Sequence, residues 1–175
     1  AVYDDPVFLR MTQDTIADIA NSIAEFEPVI MLAPADQRSR MDRLSSKVQI
    51  WDIPTEDLWA RDSGPLFAFR GDELVVSHIQ FNGWGAKQVH KHDGKIASAV
   101  ADRLGLPLVP SSLRGEPGGV EHDGHGLLIA HESSWVNRNR NPDQTRGQIE
   151  ARLLAAYGAD RMIWAPGLWG EDITD

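Results

Sequence analysis

The stretches "LFAFRGDELVVSHIQF" (66–81) and "GGVEHDGHGLLIAHES" (118–133) decide the fold, because each reads as two extended runs folded back on one another. The first turns at Gly71-Asp72 and the second near Asp123-Gly124, residue types that suit a tight hairpin turn. Each hairpin is followed by a helical pattern and a further strand. Residues from about 88 to 104 read as a helix and "LPLVPS" (106–111) as a strand. In the second copy the helix is "NPDQTRGQIEARLLAAYG" (141–158) and the strand "RMIWAP" (161–166). Asn141 suits the N-cap of that helix, Pro142 its first turn and Gly158 its C-terminal end.

The two copies superpose at a constant offset of 53 positions. Gly71 falls on Gly124, Leu74 on Leu127, Ile96 on Ile149, Val100 on Leu153, Leu104 on Tyr157 and Gly105 on Gly158. A strand-strand-helix-strand unit of this size cannot bury its apolar face alone, so neighbouring units must stack or form a ring. Upstream, "TQDTIADIANSIAEFEP" (12–28) places Ile16, Ile19, Ile23 and Phe26 at helical spacing, with Pro28 ending the run. "VIMLAP" (29–34) reads as a strand covered on both faces, "ADQRSRMDRLSS" (35–46) as a weaker helix and "KVQIWDIP" (47–54) as another strand. The whole chain then holds about three units, the first without its leading hairpin and the last followed by the start of another. An α/β chain cut at both ends is the expectation.

At 175 residues, 42% of them hydrophobic and 25% charged, the composition is that of one globular domain. A formal charge of −9 repels nucleic acid and favours cationic ligands. Cysteine is absent, which removes disulfides, thiolate metal sites and thiol nucleophiles from these residues. No apolar run approaches the roughly 18–20 residues of a membrane span. A cytoplasmic location is expected, although a signal peptide already removed would leave no trace. A ring cut open would expose sheet edges, which predicts poor solubility as a monomer and leaves a homo-oligomer open.

"DLWARDSGP" (57–65) presents Asp62 between Arg61 and Ser63 on a backbone fixed by Gly64-Pro65. A carboxylate beside the aromatic face of Trp59 could grip a planar cation, whereas the simpler account is an Arg61–Asp62 ion pair closing a loop. "FNGWGAK" (81–87) lacks the spacing of a phosphate loop, and Trp84 either lines a pocket or packs beneath that loop. In "RGEPGGVEHDGHG" (114–126), Glu116 stands just before Pro-Gly-Gly at a strand entrance. Glu121, His122, Asp123, His125 and His131 suggest a metal site, but strand alternation puts Glu121 and His122 on opposite faces and His125 in the turn. His90-Lys91-His92 reads as a solvated segment before a helix. "WVNRNRNP" (135–142) could bind an anion at a helix start, or serve loop hydrogen bonding and the cap.

In this order, "EDLWARDSGP", "FNGWGAK", "EPGGVEHDGHGLLIAHESSWVNRNRNP" and "WAPGLWGEDITD" resemble the agmatine deiminase and bacterial-type peptidylarginine deiminase family of guanidino-group-modifying proteins. The resemblance implies a five-fold pseudosymmetric α/β propeller of repeated strand-strand-helix-strand units, incomplete here, with a partial deiminase domain over 1–175 and repeats near 65–110 and 118–165. It implies a cysteine nucleophile attacking a guanidinium carbon, loss of ammonia and hydrolysis to a ureido product, with no metal or organic cofactor. Agmatine would give N-carbamoylputrescine, a step toward putrescine and the polyamines. Asp62 would hold the substrate guanidinium, Trp59 would pack beside it with Trp84 near the pocket, and Glu116 would be the catalytic acidic residue acting with a later histidine.

Two positions depart from the family pattern: Pro117 replaces the glycine after the glutamate, and Ala86, a milder change, replaces a glycine of the Trp84 loop. The histidine and cysteine of the family fall outside these residues. The alternatives are therefore a truncated, inactive guanidinium-binding fragment or a peptidyl-arginine deiminase. A scaffold built only of repeats would leave the clustering of Trp59, Asp62 and Glu116 at unit junctions without a reason.

Overall fold

Backbone hydrogen bonding in the computed structural model organises the chain into a two-stranded parallel sheet and two three-stranded mixed sheets. The structure describes residues 5–171, 173 and 174. The chain divides into two compact units, residues 1–57 and 58–175.

In the first unit, helix α1 (Pro6–Ile23) begins earlier than its apolar spacing indicates, because the Asp5 carboxylate accepts from Val7 N at 2.8 Å and Pro6 occupies the first turn. It ends at Ile23, before Pro28 can act. The buried residues of α1 are Ala17 and Ala20, while Ile19 and Ile23 are exposed and Phe26, beyond the helix, is 91% exposed. The expected isoleucine stripe is thus not the buried face; small alanines let α1 lie close to strand β1 (Val29–Leu32). Strand β1 pairs in parallel with β2 (Val48–Trp51), and the exposure of Ile30 shows a strand uncovered on one face, contrary to its apolar reading. The weaker helix reduces to a short 3-10 segment, Ala35–Arg40. It has no apolar repeat with which to pack.

The second unit opens with a single helical turn α2 (Ala60–Ser63), then β3 (Leu66–Arg70) and β4 (Glu73–Gln80), joined at the expected Gly71-Asp72 turn. A tight turn α3 (Gly83–Ala86) follows, then α4 (Ile96–Leu104), which starts later than residue 88 because a 3-10 turn at Asp93–Lys95 precedes it. Strand β5 (Leu108–Arg114) returns parallel to β4. The next elements repeat the order. Strand β6 (Val120–His122) pairs antiparallel with β7 (Leu127–His131), a one-turn helix α5 (Glu132–Trp135) and helix α6 (Arg146–Tyr157) intervene, and β8 (Arg161–Ala165) returns parallel to β7.

The repetition is not strict. Val76 pairs with Leu108, but 53 positions on, Ile129 pairs with Ile163 rather than with Arg161. Gly105 and Gly158 close α4 and α6 in the left-handed conformation, at φ 66° and 64°, as helix-ending glycines should.

Asn141 does not cap α6. Its side chain accepts from Arg114 N and donates to the carbonyls of Arg114 and Trp135, and Asp143 at φ 62° interrupts any helical path from Pro142. Thr145 caps instead, in a reciprocal box with Gln148. Helix α6 lies on β8 and also on β4 and β5 of the preceding sheet. Ile149 and Leu153 from α6 join Ile79, Leu113, Val120, Leu128, Ala130 and Trp135 in one buried core. Each large aliphatic buried there contributes about 2 kcal/mol. That shared core fixes the loops at one end of the two sheets.

Candidate active site

Asp62 sits in α2, whose single turn is held by backbone bonds from Asp62 N and Ser63 N to Trp59 O at 3.1 and 3.2 Å. Ser63 is buried and its hydroxyl donates to the same carbonyl. Gly64 N then bonds to Ala60 O at 2.9 Å, and a β-carbon at position 64 would collide with that oxygen. The local sequence therefore fixes the backbone that presents Asp62. Trp59 contributes its carbonyl to this turn, and the residue is 56% exposed.

The indole N–H of Trp84 donates to Asp62 Oδ2 at 3.1 Å. Trp84 is buried rather than surface-exposed, its ring edge-on to Phe81 with centroids 4.9 Å apart. It is carried by α3, which is not a right-handed turn: Gly83, Trp84, Gly85 and Ala86 all have positive φ, at 65°, 55°, 78° and 64°. Asn82 holds this run by accepting from Gly85 N and donating to Asn139 O. Ala86 is thus a larger departure than its size indicates, because its β-carbon occupies a conformation that costs L-residues about 1–2 kcal/mol.

Glu116 is 3% exposed, at the start of a 3-10 turn, Pro117–Gly119. Pro117 takes the first position of that turn, where its missing N–H costs nothing. The turn is pinned from two sides, by Tyr157 Oη donating to Pro117 O at 3.0 Å and Trp135 Nε1 donating to Gly119 O at 3.4 Å. Gly118 lies against Asp62, and any side chain there would strike the Asp62 carboxylate. The two acidic groups singled out from the sequence are therefore brought together. Burial raises the Glu116 carboxyl above its usual range; the charge and hydrogen bond of Arg140 oppose this, and the Asp62 charge adds to it. Burial likewise raises the Tyr157 phenol, with Glu121 adding to the effect and Arg61 opposing it.

Arg140 is the group that sequence reasoning missed. Fully buried, it donates from Nε to both carboxylate oxygens of Glu116 at 3.1 Å. The "NRNRNP" loop that carries it is a hydrogen-bonded structure, with Arg140 N and Asn141 N both bonded to Asn137 O. Clustered arginines and asparagines were visible in the sequence, but the buried partner 24 positions away was not. Among the histidines, His122 is on β6 with its ring 6.1 Å from that of Tyr157, His125 is in the hairpin turn and His131 ends β7. Among the described residues, no group of three or more metal-ligating side chains could hold a metal ion, and no helix is long and apolar enough to cross a membrane.

A fixed carboxylate beside a buried ion pair, on a repeated β-β-α-β scaffold, defines a mixed α/β protein with an acidic loop cluster at the ends of its sheets. The chain belongs to the Porphyromonas-type peptidyl-arginine deiminase family, whose model matches residues 4–175. It is 36% identical over 169 residues to the agmatine deiminase of Pseudomonas syringae pv. tomato, covering 90% of this chain and 45% of that protein. It is 34% identical over 174 residues to a provisionally assigned agmatine deiminase of Streptomyces avermitilis, covering 97% and 50%. Among solved structures, a provisionally assigned arginine deiminase from Porphyromonas gingivalis superposes with a TM-score of 0.82 at 27% identity, over 98% of this chain and 52% of that one. The chain spans about half the length of the curated relatives it matches.

Proposed function

We propose that the chain grips the guanidinium of a small cationic substrate, agmatine, as the substrate-holding side of a deiminase that yields N-carbamoylputrescine and ammonia. The observation that carries this is the Asp62 carboxylate, oriented by the Trp84 indole N–H and set beside the buried Glu116–Arg140 pair. A rigid carboxylate accepts paired N–H groups from a planar cation without reorganising. The exposed face of Trp59, three residues before Asp62, suits stacking on that cation. The identity to agmatine deiminases supports agmatine as the substrate. Peptidyl-arginine is the second reading, favoured by the description of the matching family.

In the reaction, a thiolate adds to the guanidinium carbon and forms a C–S bond. The C–N bond breaks and a protonated amine leaves as ammonia. Water then adds, the C–S bond breaks and the ureido product departs. These 175 residues contain no cysteine, so the thiolate is supplied from outside them and the polypeptide alone releases no ammonia. We read the two β-β-α-β sheets as consecutive units of a five-fold pseudosymmetric propeller, supported by their shared strand order and by α6 lying on both.

The test is equilibrium binding of agmatine and of an N-acetylated arginine amide to the wild-type chain and to Asp62→Ala. Tighter binding of agmatine, lost in the variant, is expected. Preference for the arginine amide would transfer the assignment to peptidyl-arginine. Agmatine affinity unchanged in Asp62→Ala would remove the site, and ammonia release above that control would contradict an external thiolate.

A further inference from the structure

We infer that Arg140 is the positioning residue of this site, fixing the charge and orientation of Glu116 and joining it to the backbone at Thr174. The inference rests on the reading that a guanidinium binds at Asp62, and it assigns to this chain a second guanidinium, its own, with the opposite duty.

Arg140 is fully buried, and a guanidinium is a permanent cation. A buried permanent cation requires a buried anion, and Glu116 supplies it through two contacts of 3.1 Å from a single nitrogen, Nε. The other end of the fork is used elsewhere: one terminal nitrogen, Nη2, donates to Thr174 O at 3.0 Å, and Nη1 reaches Asn139 Oδ1 at 3.5 Å. Lys87, at the end of the Trp84 loop, donates to the neighbouring carbonyl of Ile173 at 3.0 Å. Two cations from the two site loops thus hold two successive carbonyls, and Arg140 also holds Glu116.

Among the described residues, the charged groups acting on Glu116 are those of Arg140 and Asp62. Arg140 approaches from the asparagine-rich loop and Asp62 from α2. Tyr157, itself near Arg61 and Glu121, reaches the adjacent Pro117 carbonyl from α6. With burial and Asp62 raising the proton affinity of Glu116 and Arg140 lowering it, removal of Arg140 leaves only a weaker backbone hydrogen bond to oppose burial and Asp62. The consequence extends to the substrate. A cation at Asp62 is favoured while Glu116 is ionised, so affinity falls when Glu116 takes up a proton.

The experiment compares wild type, Arg140→Lys and Arg140→Met, with the Glu116 carboxyl followed by carbon-13 NMR and assigned with Glu116→Gln. Agmatine affinity is measured over the same pH range. Loss of an opposite charge at this distance shifts a carboxylate by about 1–3 pH units. In Arg140→Met both the Glu116 titration and the midpoint of the affinity profile are expected to rise by that amount. Arg140→Lys keeps the charge without the planar fork, protects against simple unfolding, and should fall between. A uniform loss of affinity with an unmoved midpoint, or a Glu116 titration identical in wild type and Arg140→Lys, would overturn the inference. If wild type binds no agmatine, the functional reading fails by itself. The carboxyl titration then decides the role of Arg140 alone: a rise in Arg140→Met supports it, and no change overturns it.

Discussion

Trp84 donates its indole N–H to the carboxylate of Asp62, 22 positions away, from a backbone in which four successive residues have positive φ. The strained loop and the carboxylate are therefore one device. An unstrained loop would place the indole differently, and the carboxylate would lose a donor to one oxygen.

Trp84→Phe retains the buried ring and removes only the donor. One hydrogen bond to a charged group is worth about 1.5 kcal/mol at the lower end, so agmatine affinity should fall about tenfold. Calorimetric titration checks this, and an unchanged affinity would show that Asp62 is oriented by other contacts.

Ala86→Gly tests the strain itself. Removing the β-carbon at φ 64° should stabilise the protein, by up to about 1 kcal/mol after the greater freedom of glycine in the unfolded chain is counted. Urea unfolding measures it. A destabilisation of similar size would mean that the left-handed run is relaxed at this position.

Arg140→Met leaves Glu116 buried without a counter-charge, which should cost about 3 kcal/mol at neutral pH. The sign of the pH dependence follows from the direction of the shift. A carboxyl whose folded value is raised gives its stabilisation below its unfolded value and loses it as pH rises through the folded value. The deficit of the variant should therefore shrink on acidification, as Glu116 becomes neutral. A deficit constant with pH, measured by urea unfolding, would count against the pairing.

Asp123 has the opposite linkage. Its carboxylate accepts from Leu127 N at 3.0 Å and His125 N at 2.7 Å in the second hairpin turn, and these bonds hold its carboxyl below the usual range. Its stabilisation is present above the ordinary value of 3.8 and is lost as pH falls through the lower folded value. Asp123→Ala should be less stable than wild type at neutral pH, and the two should converge in strong acid.

Much of this fold was legible because its signals are local. Gly71, Gly105 and Gly158 occupy the positions that their backbone conformations require, and the strand order of the two sheets follows the spacing of the apolar runs. The start of α6 was not legible: Asn141 and Thr145 are both good caps by type, and only the distant partners Arg114 and Trp135 show that Asn141 is already used. Asp62 and Glu116 could be singled out as carboxylates on stiff turns. Arg140 could not, because its meaning depends on a buried partner that only tertiary packing supplies. For Trp84 the sequence leaves a pocket-lining and a packed position equally open, because flanking glycines suit either; here they permit the left-handed path that buries the ring.

The central claim is that Asp62 holds a guanidinium. The most direct measurement follows the carbon-13 carboxyl resonance of Asp62 during titration with agmatine, and separately with putrescine, which has the same chain and no guanidine. A saturable shift with agmatine, absent or far weaker with putrescine, is expected. Equal responses to both amines, or none to either, would contradict the assignment.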